Sequence, residues 1–290
     1  MNQLKLKLHP GIGDILLCRN HLDSIKHLYD EIYLSPSRSI VNGFREMGDG
    51  KYYDFCLSFM KSIFPDKPYK IIEDDTLPKF APVDYAVCDL PITKDGLFKI
   101  NNYSFLLCKN PSPIQCNYIV VNTKVRGTPT YSRYNSYYKN DFLKGILSLS
   151  NNYKIVVMGE RTPPKSPENK MIGPERVFCI YNDLIDIIPT SKIIDITLSG
   201  DDTAVPHLDN IYRDCSIMKE AKAVITLGIG GNFILSMSVS DNSINFMEDT
   251  LYCRFYDWMI NHHQRNSVII TNKWSYFMDN LQKFIEKEDI

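Results

Sequence analysis

The sequence has no concentrated positive charge. Its 33 Lys and Arg are offset by 34 Asp and Glu, a net charge of −1 over 290 residues. That excludes nucleic acid as the main partner, because neutralising a phosphate backbone takes a dense basic face. A local basic pocket for one small phosphate ligand stays open. Long apolar runs are also missing. None approaches the roughly 20 residues of a membrane helix, so no integral membrane segment is expected. The start, Met-Asn-Gln-Leu-Lys-Leu-Lys-Leu, alternates polar and apolar residues and lacks the apolar core of a secretion signal. A cytoplasmic location is expected. The eight cysteines (Cys18, Cys56, Cys88, Cys108, Cys116, Cys179, Cys215 and Cys253) are scattered and form no C-x-x-C pair. They read as thiols used as small core residues in a reducing compartment. There is no H-E-x-x-H, no P-loop and no G-x-S-x-G, which argues against a zinc site and against those two kinds of catalytic loop.

What the chain does have is alternation. An apolar fraction of 44% and a charged fraction of 23% are ordinary for a globular protein. Short apolar runs alternate with helix-period segments, the pattern of parallel βαβ units. Leu4, Leu6 and Leu8 predict a strand, and Asp14 to Leu28 a helix. Further strands are predicted over 31–34, 69–72 and 85–88, with helices over 37–47 and 51–64. The run Lys109-Asn110-Pro111-Ser112-Pro113 predicts a linker, since two prolines so close continue neither a helix nor a central strand. A second series follows, with strands over 118–122, 153–158, 192–197, 223–227 and 243–247. Its helices are predicted over 139–149, 182–188, 212–221 and 233–239, with two more over 252–262 and 274–286. The expected fold class is α/β, with two Rossmann-like domains facing a cleft. Their expected bounds are 1–112 and 113–290.

The candidate site residues gather at predicted strand ends. Gly11-Ile12-Gly13-Asp14 joins the first strand to the first helix. Glycine lets the backbone turn tightly there and approach a ligand. Asp14 has two readings: an N-cap for the helix, or a carboxylate at the ligand-binding edge of the sheet. The pair of glycines is not a dinucleotide fingerprint, because the third glycine would fall at Leu16. Gly228-Ile229-Gly230-Gly231-Asn232 joins a later strand to its helix, either as a tight turn or as a cradle for a pyrophosphate. Lys124 and Arg126 follow one strand, and Gly159 and Arg161 another. Together they make two cationic clusters beside a glycine loop. Glu248 and Asp249 follow the last strand of the series and either accept from ribose hydroxyls or cap the next helix. Glu73, Asp74 and Asp75, and the pair Asp201 and Asp202, have the acids for a divalent metal but read more simply as solvated groups, and His262-His263 reads as a polar helix end.

At Gly11 to Leu17 the sequence resembles heptosyltransferases and related enzymes of the ADP-heptose transferase type, whose first strand runs through Gly-Ile-Gly-Asp-Ile-Leu-Leu into a helix. The later series is similar in order. The family's Asp-Ser/Thr-Gly-x-x-His turn, however, is replaced by Leu227-Gly228-Ile229-Gly230-Gly231-Asn232, without the acid and the histidine. The resemblance implies a GT-B fold, a nucleotide-sugar donor, a glycan or other hydroxyl acceptor, and no metal or other cofactor. It implies Asp14 as the catalytic base, with Gly11 and Gly13 in the acceptor-side loop. Donor contacts would come from Lys124, Arg126, Gly159, Arg161, Gly228, Gly230, Gly231, Asn232 and Glu248. The mechanism implied is an inverting displacement. A fucosyltransferase-like enzyme with Arg126 on the donor pyrophosphate, and a catalytically silent nucleotide- or sugar-binding protein of the same fold, are the alternatives.

Overall fold

In β1 (Gln3–Leu8), Leu6 and Leu8 are buried and Lys5 is exposed, as a period-two pattern requires. The computed structural model describes residues 2–9, 11–38, 51–80, 101–126, 134–161, 177–198, 207–228, 231–246 and 268–286. The sequence-predicted helices over 37–47 and 252–262 lie wholly or mostly outside these residues, and the strand over 85–88 lies wholly outside them. So do Cys88, Asp201, Asp202, Gly230, Glu248, Asp249, Cys253, His262 and His263.

β1 pairs in parallel with β2 (Glu31–Pro36) and with β4 (Lys79–Phe80), and β2 pairs with β3 (Tyr69–Ile71). The order is β3-β2-β1-β4. A second parallel sheet is built from β5 (Tyr118–Asn122), β7 (Lys154–Met158), β9 (Ile193–Asp195), β10 (Ala223–Leu227), β11 (Ser243–Phe246) and β12 (Val268–Thr271). Its order, β12-β11-β10-β5-β7-β9, is the doubly wound 3-2-1-4-5-6 arrangement read from the other edge. β6 (Lys124–Arg126) and β8 (Val177–Cys179) form a separate antiparallel ribbon.

Helices cover the second sheet on both faces, which is why β5, β10 and β11 are buried at every residue. Alternate residues choose the side. Tyr118, Val120, Val156, Met158 and Val224 share one apolar cluster with α6 (Leu208–Glu220) and α7 (Gly231–Val239). Ile119, Val121, Ile155, Val157 and Ile225 join the other, with α4 (Lys139–Asn152), α5 (Tyr181–Ile187) and α8 (Trp274–Glu286). A Cβ at Gly145 would meet Leu281 Cδ2 at 2.7 Å, so glycine sets how closely α4 and α8 approach.

The first cluster does not stop at the second sheet. It continues into α1 (Ile12–Ile25), α2 (Lys51–Ile63) and the core of the first sheet, with α1 packed directly on α7. The short helix α3 (Ser104–Leu107) lies beside α2, α6 and α7. The Tyr103 N–H donates to the Ser238 carbonyl at 2.6 Å, satisfying an acceptor in the last turn of α7. The predicted linker is pinned as well: Ser112 is buried, its N–H donates to Glu220 (2.9 Å), and its hydroxyl lies 2.9 Å from that of Tyr118. Helix α3 and strands β4, β6 and β8 have no counterpart in the sequence reading, because two to four residues are too few to show a period. β12 was also missed, although Val-Ile-Ile-Thr is a β-branched run.

α1 carries Arg19 into this core at 2% exposure. Its Nε donates to Asp23 at 2.8 Å, its Nη1 donates to the Ile63 carbonyl at 2.7 Å, and the guanidinium lies 4.7 Å from the centre of the Tyr69 ring. The Tyr69 hydroxyl donates to Asp23 at 3.0 Å, while that of Tyr103 lies between Asn20 Oδ1 (2.9 Å) and Asp23 Oδ2 (3.1 Å). Burial pushes the Asp23 carboxyl up. The hydrogen bond and charge of Arg19, helped by Lys26 and Tyr69, outweigh it and hold Asp23 below its ordinary value.

A carboxyl depressed in the folded state contributes stability above its unfolded value, about 3.9, and loses it as the pH falls through the folded value. Asp23→Ala leaves a buried guanidinium without its carboxylate and should cost roughly 3–5 kcal/mol by urea denaturation at pH 7. The double variant Arg19→Met/Asp23→Leu should cost less than that single change and should lose less stability than the wild type below about pH 4.

Candidate functional site

In a doubly wound sheet, ligands bind outside the carboxyl ends of the strands, where the strand order reverses. In the second sheet that point lies between β5 and β10. β5 ends at Asn122, β7 at Met158 and β10 at Leu227, all at this edge. Asn122 Oδ1 accepts from the Lys124 N–H (3.1 Å) and from Asn232 Nδ2 (3.3 Å), tying the end of β5 to the first turn of α7. The Thr123 N–H donates to the Met158 carbonyl at 2.8 Å, and its hydroxyl lies 2.6 Å from the Glu160 carbonyl. Two glycines hold positive φ here, Gly159 at 103° and Gly228 at 74°. Only glycine takes such angles without strain.

Lys124, Gly159, Gly228, Gly231 and Asn232 are thus all at the β5, β7 and β10 ends of one sheet edge. Lys124 Nζ pairs with Glu160 Oε1 at 2.7 Å, with the two side chains 31% and 12% exposed. Glu160 Oε2 is buried with no hydrogen-bond partner among the described residues. The sequence reading missed Asn122 and Thr123 and gave Glu160 no part on the donor side. The available signal was an acid at the end of the second strand of a Rossmann sheet. Cys179 stands opposite Lys124 in the ribbon. Burial, reinforced by Glu160 and opposed by Lys124, pushes its thiol up to about 12.

Arg161 turns away from this group. Its Nη2 pairs with Asp195 at 2.8 Å, and its Nε donates to the Thr197 hydroxyl at 2.9 Å, at the end of β9. Burial pushes the Asp195 carboxyl up, but Thr197, Tyr181 and Arg161 together hold it below its ordinary value. Arg126 lies in β6 opposite Val177.

In the first sheet the order reverses between β1 and β4, and the chain turns there from β1 into α1. The capping reading of Asp14 is overturned: Gly11 is the N-cap, no side chain caps the helix, and Asp14 is the third residue inside it. Its Oδ2 lies 2.9 Å from His9 Nδ1. A Cβ at Gly11 would sit 2.3 Å from that same oxygen, so the carboxylate folds back over a position that only glycine leaves open. Gly13 is the second residue of α1. His9 was not read as a site residue; its place directly after β1 was the available signal. The acids at 73–75 are divided among separate partners: Glu73 takes Arg38, Asp74 takes Thr76 and Asp75 takes Lys7. Among the described residues no group of His, Cys, Asp and Glu forms a metal cluster, and no helix is long and apolar enough to cross a membrane. Cys18, Cys56 and Cys215 are buried thiols, but Cys116 is exposed, against the expectation of a core role.

Gly159→Ala tests the second edge. Its Cβ would stand 2.7 Å from Asn122 Oδ1 and 3.1 Å from Thr123 Oγ1, on a backbone that disfavours it. We expect a loss of about 1–3 kcal/mol in chemical denaturation. The Asn122 and Asn232 side-chain amide resonances should move with it, while those of Asn20 stay in place.

No protein-family profile and no curated protein matches the sequence. Among solved structures, the chain is similar to the iron-containing dodecameric glycosyltransferase TibC from enterotoxigenic E. coli H10407. The TM-score is 0.45 and the sequence identity 11%, over 84% of this chain and 57% of that one. This chain therefore spans less than two thirds of the length of that neighbour.

Proposed function

We propose that this chain is a glycosyltransferase that moves a sugar from a nucleotide-sugar donor to a hydroxyl of a glycan or other acceptor. The observation that carries this reading is the pair of parallel sheets, each with a glycine turn that opens a helix at its point of strand-order reversal. One such edge presents a cation and backbone turns, and the other a carboxylate. A donor phosphate and an acceptor hydroxyl call for those two chemistries. The sequence resemblance at Gly11 to Leu17 points the same way.

In this reading residues 1–112 are the acceptor side and 113–290 the donor side of a cleft. Lys124 and Arg126, with the first turn of α7 and its glycines, stabilise the leaving nucleoside diphosphate. Gly159, Gly228, Gly230 and Gly231 let the backbone approach it, Asn232 orients it, and Glu160 and Glu248 accept from donor hydroxyls. Arg161 joins them if it leaves Asp195. The acceptor oxygen attacks the anomeric carbon from the face opposite the diphosphate, giving inversion with no covalent intermediate. Asp14 supplies the carboxylate on which removal of the acceptor proton depends.

Two measurements test the reading. A nucleoside diphosphate at about 100 times its Kd should stabilise the protein by about 2.7 kcal/mol and protect 223–228 and 122–126 from hydrogen exchange. Protection confined to 11–17 would reverse the two sides. Asp14→Asn should leave folding and donor affinity nearly unchanged and lower transfer at least about a hundredfold. Full transfer by a folded Asp14→Asn protein would end the role of Asp14. Donor binding without any transfer would instead support the silent binding protein, the reading favoured by the missing acid and histidine at 227–232.

A further inference from the structure

A nucleotide held by its phosphates where the strand order reverses, between β5 and β10, carries its base elsewhere along the same edge. Beyond β5 come β7 and then β9. The gap between those two strands lies two strand spacings, about 10 Å, from the phosphates. That is the reach of a nucleoside diphosphate from its phosphates to its base. Arg161, Asp195 and Thr197 meet at this gap, with Tyr181 from the start of α5 against them. The Asp195 carboxylate is fully used. Its Oδ1 accepts from the N–H and the hydroxyl of Thr197, and its Oδ2 from the Tyr181 hydroxyl (2.7 Å) and from Arg161 Nη2 (2.8 Å). Arg161 Nε donates to the Thr197 hydroxyl at 2.9 Å, and the guanidinium carbon lies 5.4 Å from the centre of the Tyr181 ring. These contacts take the inner side of the guanidinium. The outer fork, formed by Nη1 and the second hydrogen of Nη2, has no partner among the described residues, and the side chain is 49% exposed. The inner contacts fix the plane of the fork, so little freedom remains to be lost on binding.

We propose that Arg161 reads the base of the donor nucleotide and selects guanine. The proposal rests on the donor reading above and gives Arg161 a part that it fills without leaving Asp195. Two parallel N–H donors match two adjacent acceptors. Guanine presents such a pair at O6 and N7, the base contact that arginine makes most often. Adenine sets an amino donor beside its N7, and uracil an N–H beside each carbonyl, so both oppose a fork of donors. Guanine lies in the plane of the guanidinium, with O6 and N7 against the outer fork. The ribose then lies beside Glu160, which directly precedes Arg161 and ends the second strand of the sheet, the place of the ribose acid in Rossmann sheets. The phosphates lie at Lys124 and the first turn of α7.

Calorimetric titration of the full chain with GDP, ADP, UDP and CDP tests this. GDP should bind the wild type about 5- to 150-fold more tightly than each of the others, the range for one bidentate base contact. Arg161→Gln should lose that preference while binding ADP nearly as the wild type does. The analogue 7-deaza-GDP, which lacks the N7 acceptor, should bind the wild type about tenfold more weakly than GDP, and Arg161→Gln as well as GDP does. The thermal midpoint shows whether the variant is folded. Arg161→Lys serves should Arg161→Gln not fold, since a lysine keeps the charge without the fork and should lose the same preference. A wild type that prefers another base, or none, overturns the proposal and leaves the donor reading standing. So does an Arg161→Gln protein that binds all four more weakly by the same factor, because that places the arginine on a phosphate. A wild type that binds no nucleoside diphosphate overturns the donor reading, and the proposal with it.

Discussion

The packing of α1 on α7 is the constraint from which most of this structure follows. Both helices are covered on almost every side: Ile15 to Leu22 are buried without a break, and so are Phe233 to Ser240. A helix with no solvent face has nowhere to put a polar side chain except against a partner. Arg19 therefore requires Asp23, Asp23 collects Tyr69 and is approached by Tyr103, and Asn20 takes Asn101 and Tyr103. In this way the segment from 101 to 107 is bound to α1, and through Tyr103 it also closes the end of α7. One polar cluster fixes how three elements far apart in the chain meet.

The same packing sets the direction of both glycine turns. α1 leaves β1, and α7 leaves β10, at the carboxyl ends of their strands. The buried bodies of the helices hold these first turns in place. What surrounds the turns is polar and less buried. His9 and Asp14 meet at one, and Asn122, Lys124, Glu160 and Asn232 at the other. Apolar burial fixes the frame, and charge and hydrogen bonding are concentrated where the strands end. A buried carboxylate oxygen with no partner among the described residues, beside a paired lysine, is the least settled group of the second edge. Desolvating a carboxylate costs free energy unless its lone pairs are used, so Glu160 is where a hydroxyl donor would gain most.

Much of this was legible in the residues. Runs such as Tyr118 to Asn122 and Ala223 to Leu227 have the β-branched composition of strands buried on both faces, and the alternation of strand and helix gave the α/β class. Both glycine turns were visible for the same reason, since each lies between a strand pattern and a helix pattern. The short elements were not visible. β6 and β8 span three residues each and are strands only because Lys124 to Arg126 found Val177 to Cys179 some fifty residues away. α3 exists because Tyr103 and Ser104 are held by Ser238 and Lys219. No local pattern announces a contact across that much sequence.

The sequence by itself determined the alternation of the longer strands and helices and the residues at the strand ends, because hydrophobic patterning and glycine placement are local properties. Tertiary structure alone decided which of those residues meet. Arg161 and Lys124 read alike in the sequence, two cations just past strands, yet Arg161 is drawn to Asp195 and Lys124 to Glu160. Asp14 read either as a helix cap or as a carboxylate at the ligand-binding edge. It became the partner of His9 because Gly11 took the cap position and left space above itself. Pairing of this kind depends on distances of about 3 Å between side chains on different elements, and such distances are fixed only when the sheets and their helices close around a common core.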